Sequence, residues 1–140
     1  MIDLIDYGGG NLGSIRRCLE RLDIAYQQVN SPEQLSGEHP IILPGVGAFA
    51  ALMDALRQRQ LVEPLKQKLE AGTPYLGICV GHQILFDTSD ESFETEQDKQ
   101  PVGLGLVSGK VVKFDAQRVP KIPQIGWNHL EAAQERTGLP

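Results

Sequence analysis

The segment Thr73 to Phe86, which reads T-P-Y-L-G-I-C-V-G-H-Q-I-L-F, constrains the fold of this chain more than any other. An apolar run with strand character, Tyr75 to Ile78, meets Cys79, and the pattern that follows predicts a helix over 83–86. Cys79 therefore falls on a strand-to-helix turn with a glycine two residues away on either side. Such small neighbours allow a tight, strained turn that pushes its central side chain outward, as in a nucleophile elbow. The N–H of Val80 then points to where an oxyanion would develop.

A purely structural role is the competing interpretation of Cys79, because unpaired cysteines are among the most buried residue types. Cys18 shares the apolar face of a predicted helix, and we expect it in the core. Two cysteines without C-x-x-C spacing predict neither a disulfide framework nor a metal site.

Length and composition predict one soluble domain over residues 1–140. A net charge of −5 argues against nucleic acid or an anionic membrane as the main partner. The chain starts with no basic segment followed by an apolar stretch, and no apolar run reaches membrane-spanning length. We therefore expect a cytoplasmic protein.

Strand patterns alternate with helical patterns along the first half of the chain, which predicts an α/β fold with a doubly wound, mostly parallel sheet and flanking helices. The predicted strands are Ile2–Asp6, Ile24–Val29, Ile41–Leu43 and Tyr75–Ile78. Helices are predicted after Asn11, which is a plausible cap, from Ala48 onward, and over Leu61–Leu69 with Pro64 in the first turn and Gly72 closing it. Ser31-Pro32-Glu33 is expected to begin a short helical turn.

Three glycine-bearing loops follow predicted strands: Tyr7 to Asn11, Pro44 to Gly47, and the turn at Cys79. Ligands of such sheets bind beyond the carboxyl ends of the strands, so the active site is predicted where these loops meet. The first loop lacks the spacing of a phosphate-binding motif, and phosphate binding is disfavoured. The second could supply another oxyanion donor, or it could simply be a tight turn that needs positive φ.

The chain changes character after Phe86. The acidic segment Asp87 to Gln100 is expected to be a solvated loop without chemistry. Gly103 to Phe114 predicts strands with a turn near Ser108-Gly109, and Ile122 to Leu130 predicts a second β-rich piece. The C-terminal part is therefore expected to be rich in β-structure.

A thiolate nucleophile needs a base, and the chain offers three histidines. His39 lies in a polar loop and is expected to be solvated. His82 follows the cysteine in the predicted helical turn, where it is expected to pack or cap. His129 and Glu131 form an H-x-E pair on one face of a strand, but this pair cannot be placed near the elbow from sequence.

Three motifs occur together: P-G-V-G-A-F (Pro44 to Phe49), G-I-C-V-G-H-Q (Gly77 to Gln83) and P-Q-I-G-W-N (Pro123 to Asn128). Together they resemble the motifs of class I glutamine amidotransferases, which have a flavodoxin-like fold. Within that family, the chain looks most like the glutaminase subunits of imidazole glycerol phosphate synthases. The motifs that carry this likeness are D-Y-G followed by G-N-L near the N-terminus, P-G-V-G and G-W-N. The resemblance covers Met1 to about Asn128.

By this resemblance, Cys79 attacks the side-chain amide of glutamine, releasing ammonia and forming a glutamyl thioester that water hydrolyses. The resemblance assigns the oxyanion to the amide of Val80 and the loop at Val46 and Gly47. Gly47 and Gln83 are expected to seat the glutamine. No cofactor and no metal are implied.

The resemblance also implies a partner. Ammonia would pass to a barrel-shaped cyclase subunit, in a heterodimer that makes imidazole glycerol phosphate in histidine biosynthesis. Asn11 and Trp127 look like interface positions on the side facing that subunit.

Family members carry the base and its glutamate in a His-Pro-Glu motif well downstream of G-W-N, and Pro140 comes before any such motif. His129-Leu130-Glu131 copies the spacing without the proline, so the roles are not carried onto it. His82 replaces a usual methionine, and Gln124 replaces a common histidine. We therefore expect a single amidotransferase domain that lacks its C-terminal portion and has little glutaminase activity.

Three other functions remain open from the sequence. The chain could be a non-catalytic fragment that docks on the cyclase, or an amidotransferase that serves another synthase. It could also be a cysteine hydrolase of the same broad fold acting on another substrate, with His129 or His82 as base.

Overall fold

Four parallel strands form the centre of the computed structural model, which describes residues 1–91, 100–115, 117–118, 121–122, 126–127 and 129. The strands are β1 (Ile2–Ile5), β2 (Tyr26–Val29), β3 (Ile41–Gly45) and β4 (Tyr75–Cys79). They lie in the order β2-β1-β3-β4, and every neighbouring pair is parallel. The carboxyl ends of β1, β3 and β4 therefore meet at one edge of the sheet, as the sequence predicted.

Helices connect these strands and cover both faces of the sheet. They are α1 (Leu12–Arg21), α2 (Phe49–Gln58), α3 (Val62–Glu70) and α4 (Val80–Gln83), with a 3₁₀ helix at Pro32–Ser36. On one face, α1 packs against a small core, and on the other, α2, α3 and α4 enclose a larger one. The small core is built on Leu4, Leu19 and Ile42, and the larger on residues such as Ile5, Leu43, Phe49, Leu56, Leu65 and Val80. The doubly wound α/β prediction is confirmed.

Local sequence signals explain where the helices begin and end. The side-chain oxygen of Asn11 accepts a 3.3 Å hydrogen bond from the N–H of Ser14 and so caps α1. Pro64 lies in the first turn of α3. Backbone N–H groups in the first turn have no acceptor within the helix, so the N–H that proline lacks costs no helical hydrogen bond. Gly72 follows α3 with φ +89°, a conformation that favours glycine.

Cys18 is exposed rather than buried, so the prediction of a core cysteine is wrong. The apolar stripe of α1 that faces the sheet is formed by Leu12, Ile15 and Leu19. This stripe is narrow, and Leu22, one turn beyond Cys18, is also exposed, at 61%. Apolar spacing alone overestimated the buried width of the helix.

The helix predicted over 83–86 is misplaced. The helix α4 occupies one turn directly after Cys79, and Phe86 begins strand β5 (Phe86–Ser89). The carbonyl of Ile84 accepts from the N–H of Leu104 at 2.7 Å, and that of Leu85 from Leu106 at 2.9 Å. These long-range bonds take the carbonyls that a longer helix would need.

The strand β5 pairs in parallel with β6 (Val107–Val111) in a separate two-stranded sheet. Asp87–Ser89 is therefore a strand and not part of a solvated loop, and Ser89 is only 1% exposed. Ser108 and Gly109 lie inside β6, so the predicted turn is wrong. Gly109 nevertheless has φ +144°, a conformation that favours glycine.

Some predictions fall outside the described residues. These are the remainder of the acidic segment at 92–99, most of the β-rich piece expected at 122–130, and the end of the chain. Among the helices that the structure describes, none is long and apolar enough to cross a bilayer.

Candidate active site

Cys79 lies on a sharp bend between β4 and α4, with its side chain exposed. Its backbone has φ 56° and ψ −117°, which residues with a Cβ rarely adopt and which costs of order 1–3 kcal/mol. The predicted exposure and strain of this turn are confirmed. A strained cysteine that faces solvent at the carboxyl edge of a parallel sheet is placed to react with a ligand.

Three glycines let the backbone of α4 lie directly on the sheet. A Cβ on Gly77 would come within 2.6 Å of the carbonyl of Gly81, and one on Gly45 within 2.5 Å of the Gly81 nitrogen. A Cβ on Gly81 would overlap the carbonyl oxygen of Leu43. The glycines that the sequence places around the cysteine are therefore required by close backbone approach.

The Pro44 loop lies beside this bend. Residues Gly45 and Cys79 are direct partners in the register between β3 and β4, so Val46 and Gly47 continue from the same rim. Gly47 has φ +88°, and a Cβ placed on it would meet nothing within 4 Å. The positive φ explains the glycine, and the open space beside it leaves room for a ligand.

The loop after β1 joins the Pro44 loop through Tyr7. The hydroxyl of this buried side chain accepts a 3.2 Å hydrogen bond from the N–H of Val46. A Cβ on Gly9 would come within 2.5 Å of the Tyr7 ring, while the N–H of Gly8 donates to the Asp6 carboxylate at 2.9 Å. These contacts explain why glycines occupy this loop, so a bound phosphate is not needed to explain them.

The other predicted site residues lie as follows. Val80 and Gln83 are the first and last residues of α4; Val80 is buried, and Gln83 is half-buried. Asn11 is exposed at the start of α1, next to the first loop. Trp127 is fully exposed, at 104% of its reference area. The structure thus brings Val46, Gly47 and Val80 to the rim that carries Cys79, and the roles of all these residues remain predictions.

Among the described residues, no histidine forms a hydrogen bond with Cys79. The Nδ1 atom of His39 lies 2.9 Å from the carboxylate of Asp3, which also accepts from Gln27 at 2.7 Å. Asp3 is 1% exposed at the start of β1, away from the carboxyl edge. The expectation that His39 is solvated is therefore wrong, because this buried carboxylate holds its ring.

The remaining histidines also lack a contact with the thiol. The ring of His82 packs edge-on against Phe86, with centroids 5.7 Å apart, as the packing prediction expected. His129 is exposed, and its expected partner Glu131 lies outside the described residues. Within the described ranges, no group of three His, Cys, Asp or Glu side chains is arranged to hold a metal ion.

Three residues that organise the site were missed by the sequence analysis. Besides Tyr7, the hydroxyl of Tyr75 donates a 2.6 Å hydrogen bond to the carbonyl of Gly81. The Glu91 carboxylate accepts from the N–H of Phe49, the first residue of α2, at 2.7 Å. The hydroxyl of a tyrosine that packs against the core needs a partner, but no local motif identifies the carbonyl that Tyr75 contacts. The contact of Glu91 spans 42 residues and leaves no local pattern.

The family model described as "Glutamine amidotransferase class-I" matches residues 3–136. The chain belongs to the class-I glutamine amidotransferase family. The Cys79 elbow and the adjoining Pro44 loop thus occupy the carboxyl edge of an amidotransferase sheet.

Curated relatives agree with this assignment. The chain is 45% identical over 130 residues to the imidazole glycerol phosphate synthase subunit HisH of Desulfitobacterium hafniense (strain DSM 10664 / DCB-2), covering 93% of this chain and 58% of the relative. It is 41% identical over 139 residues to HisH of Nostoc punctiforme, covering 99% and 63%. The chloroplastic synthase hisHF of Arabidopsis thaliana is 39% identical over 135 residues, covering 96% and 22%. The chain thus spans about three fifths of the length of these HisH relatives.

Solved structures show the same fold. A crystal structure of a glutamine amidotransferase aligns with a TM-score of 0.63 at 22% identity, covering 79% of this chain and 55% of that one. A putative peptidase E from Listeria monocytogenes EGD-e aligns with a TM-score of 0.59 at 16% identity, covering 76% and 62%. At these identities, the likeness concerns the fold alone.

Proposed function

We propose that this chain carries the nucleophile of a glutaminase subunit that supplies ammonia for imidazole glycerol phosphate synthesis. The exposed, strained Cys79 beside the Pro44 loop carries this proposal. The HisH relatives, whose names place them in that synthase, support the choice of pathway. A cytoplasmic location and a heterodimer with a cyclase belong to the same proposal.

In the proposed reaction, the sulfur of Cys79 attacks the side-chain carbonyl carbon of glutamine. The carbon–nitrogen bond breaks, the nitrogen takes up a proton and leaves as ammonia, and a glutamyl thioester remains. Water then hydrolyses the thioester to glutamate and frees the thiol. Each attack places negative charge on the carbonyl oxygen, so N–H donors fixed at that position lower the barrier.

The amides of Val80 and of the Val46–Gly47 segment are the proposed donors to this oxygen. The Val46 N–H is bonded to the Tyr7 hydroxyl, so this amide must leave that hydroxyl before it can donate to a substrate. Gly47, with open space beside it, and the half-buried Gln83 are proposed to seat the glutamine.

Asn11 and Trp127 are the proposed contact positions for a cyclase partner. Asn11 is exposed next to the first loop, and the fully exposed Trp127 offers a large apolar contact surface. Ammonia released at Cys79 would pass to this partner.

We further propose that residues 1–140 have little glutaminase activity by themselves. His39 is bound to Asp3, His82 packs on Phe86, and neither is bonded to the thiol. Absence of a positioned acid–base group typically costs about 10² to 10⁴ in rate. This observation also favours a second candidate function, a non-catalytic module that docks on the cyclase.

Glutamine hydrolysis, measured at saturating glutamine with and without a cyclase subunit, tests the proposal. We expect slow hydrolysis that depends on Cys79 and is lost in Cys79→Ala. Turnover equal to that of a full-length HisH relative would contradict the proposed low activity. Hydrolysis that persists in Cys79→Ala would contradict the nucleophile, and cyclase binding without any hydrolysis would favour the docking module.

A further inference from the structure

We propose that Tyr75 is a positioning residue for the Cys79 thiol, because its hydroxyl fixes the carbonyl of Gly81 and thereby the one-turn helix that forms the bend. This inference rests on the proposed role of Cys79 as a nucleophile. It concerns a side chain at the far end of the same strand, four residues before the cysteine.

The contact itself is short and protected. The Tyr75 hydroxyl lies 2.6 Å from the Gly81 carbonyl oxygen, and the side chain packs against the larger core. Burial raises the pKa of this phenol above its ordinary value of 10.0. The hydroxyl therefore keeps its proton, and remains a donor, throughout the neutral range.

The Gly81 carbonyl needs this donor because the helix ends too soon to supply one. Residue Ile84 donates its N–H to Val80 at 3.0 Å, but Leu85 donates to His82 at 3.2 Å instead of reaching back to Gly81. Among the described residues, Tyr75 is the group that donates to this carbonyl. Without the hydroxyl, a polar group in a closely packed place would lose its partner.

Other contacts fix the Gly81 peptide from different directions. Its nitrogen lies against Gly45, its carbonyl carbon lies over Gly77, and its α-carbon faces the Leu43 carbonyl. These contacts prevent α4 from moving toward the sheet. The Tyr75 hydrogen bond opposes movement of α4 away from the sheet, together with the burial of Val80 and Ile84 in the larger core.

The strain at Cys79 makes this attraction relevant to the thiol. A residue with φ 56° and ψ −117° stays in that conformation only while its surroundings enforce it. The bend is followed at once by α4, so a loosened Gly81 peptide lets the Cys79 backbone relax. The thiol then leaves the position that the elbow gives it.

Alkylation by iodoacetamide tests this without using glutamine. Cys18 and Cys79 are both exposed, so peptide mass spectrometry gives the ratio of their alkylation rates in one molecule. We expect Tyr75→Phe to change the Cys79:Cys18 ratio by about fivefold, because the reactivity of a thiol follows its immediate surroundings and the sulfur leaves those of the bend. Tyr26→Phe is the matched control, because its hydroxyl bonds to Glu20 at 3.0 Å, away from the elbow, and it should leave the alkylation rate of Cys79 unchanged.

A general loss of stability would not move this ratio, since neither thiol depends on unfolding for access. An unchanged ratio in folded Tyr75→Phe would overturn the proposal. If that variant does not fold, the unmodified protein provides the test by NMR. We expect a slowly exchanging Tyr75 hydroxyl proton with a nuclear Overhauser effect to the Gly81 α-protons, and the absence of this signal would overturn the proposal.

The proposed function fails separately from this inference. It would be contradicted if Cys79 reacted no faster with a glutamine-shaped reagent than with iodoacetamide.

Discussion

At the scale of single residues, the site depends on one cysteine in a backbone conformation that suits glycine. Cys79 has φ 56°, and three glycines around it make the bend sterically possible. The protein therefore tolerates local strain where it exposes a thiol. The conformation that exposes the thiol for reaction also lowers the stability of the fold.

Replacing Cys79 by glycine should separate the backbone strain from the thiol chemistry. We expect Cys79→Gly to be more stable than Cys79→Ala by about 1 kcal/mol, because glycine adopts positive φ with little cost. Both variants should lack thiol chemistry. Urea unfolding of the two proteins measures the difference, and equal stabilities would show that the Cys79 backbone is not strained.

Replacing Gly81 by alanine should destabilise the protein by about 2–3 kcal/mol, because the new methyl group overlaps the Leu43 carbonyl. The matched control is Gly13→Ala in α1, where a Cβ would meet nothing closer than 3.5 Å, at the end of the Arg17 side chain. The control should keep or slightly raise the free energy of unfolding in urea. Equal effects of the two substitutions would contradict the close packing of α4 on the sheet.

At the scale of elements, strands and loops with a strong local pattern were predictable. The buried run at 41–43 and the run at 75–78 both form strands, and their carboxyl ends carry the predicted loops. The single turn α4 and strand β5 were not predictable, because backbone bonds from 104–106 decide where that helix stops. The same holds for the Tyr75 and Glu91 contacts, which join segments distant in sequence or lack a local motif.

The start of α2 depends on such a distant contact. Its capping residue Ala48 has no polar side chain, and Glu91 supplies the acceptor for the N–H of Phe49. We expect Glu91→Ala to lower the free energy of unfolding by about 1 kcal/mol, and Glu91→Gln to retain part of this stability through its amide oxygen. Thermal unfolding of both variants measures this, and identical losses in Ala and Gln would argue against a capping role.

At the scale of the whole molecule, the half-buried phenol of Tyr75 makes the stability of the fold sensitive to alkali. Burial raises the pKa of Tyr75 in the folded protein, whereas in the unfolded chain it returns to about 10. Below pH 10 the phenol keeps its proton in both states, so its contribution to the free energy of unfolding is fully present. As the pH rises further, the phenol ionises more readily in the unfolded chain, and this contribution is lost. The loss should approach about 1.4 kcal/mol per pH unit for this group.

Urea unfolding between pH 9 and 11 should accordingly show a decline that is weaker in Tyr75→Phe. Tyr26, whose pKa is also raised, by desolvation and by its bond to Glu20, contributes in the same direction in both proteins. The difference between the two curves isolates Tyr75. Parallel curves would mean that its phenol ionises as easily in the folded protein as in the unfolded chain.

We propose that the exposed thiol of Cys79, at the carboxyl edge of the sheet, faces a glutamine pocket formed with the Pro44 loop. The most direct measurement is the rate at which a glutamine-shaped chloroketone labels each cysteine, read by peptide mass spectrometry with and without a cyclase subunit. We predict selective labelling of Cys79 over Cys18 that free glutamine suppresses and asparagine does not. Equal labelling of the two cysteines, or labelling of Cys79 that glutamine fails to slow, would contradict the account.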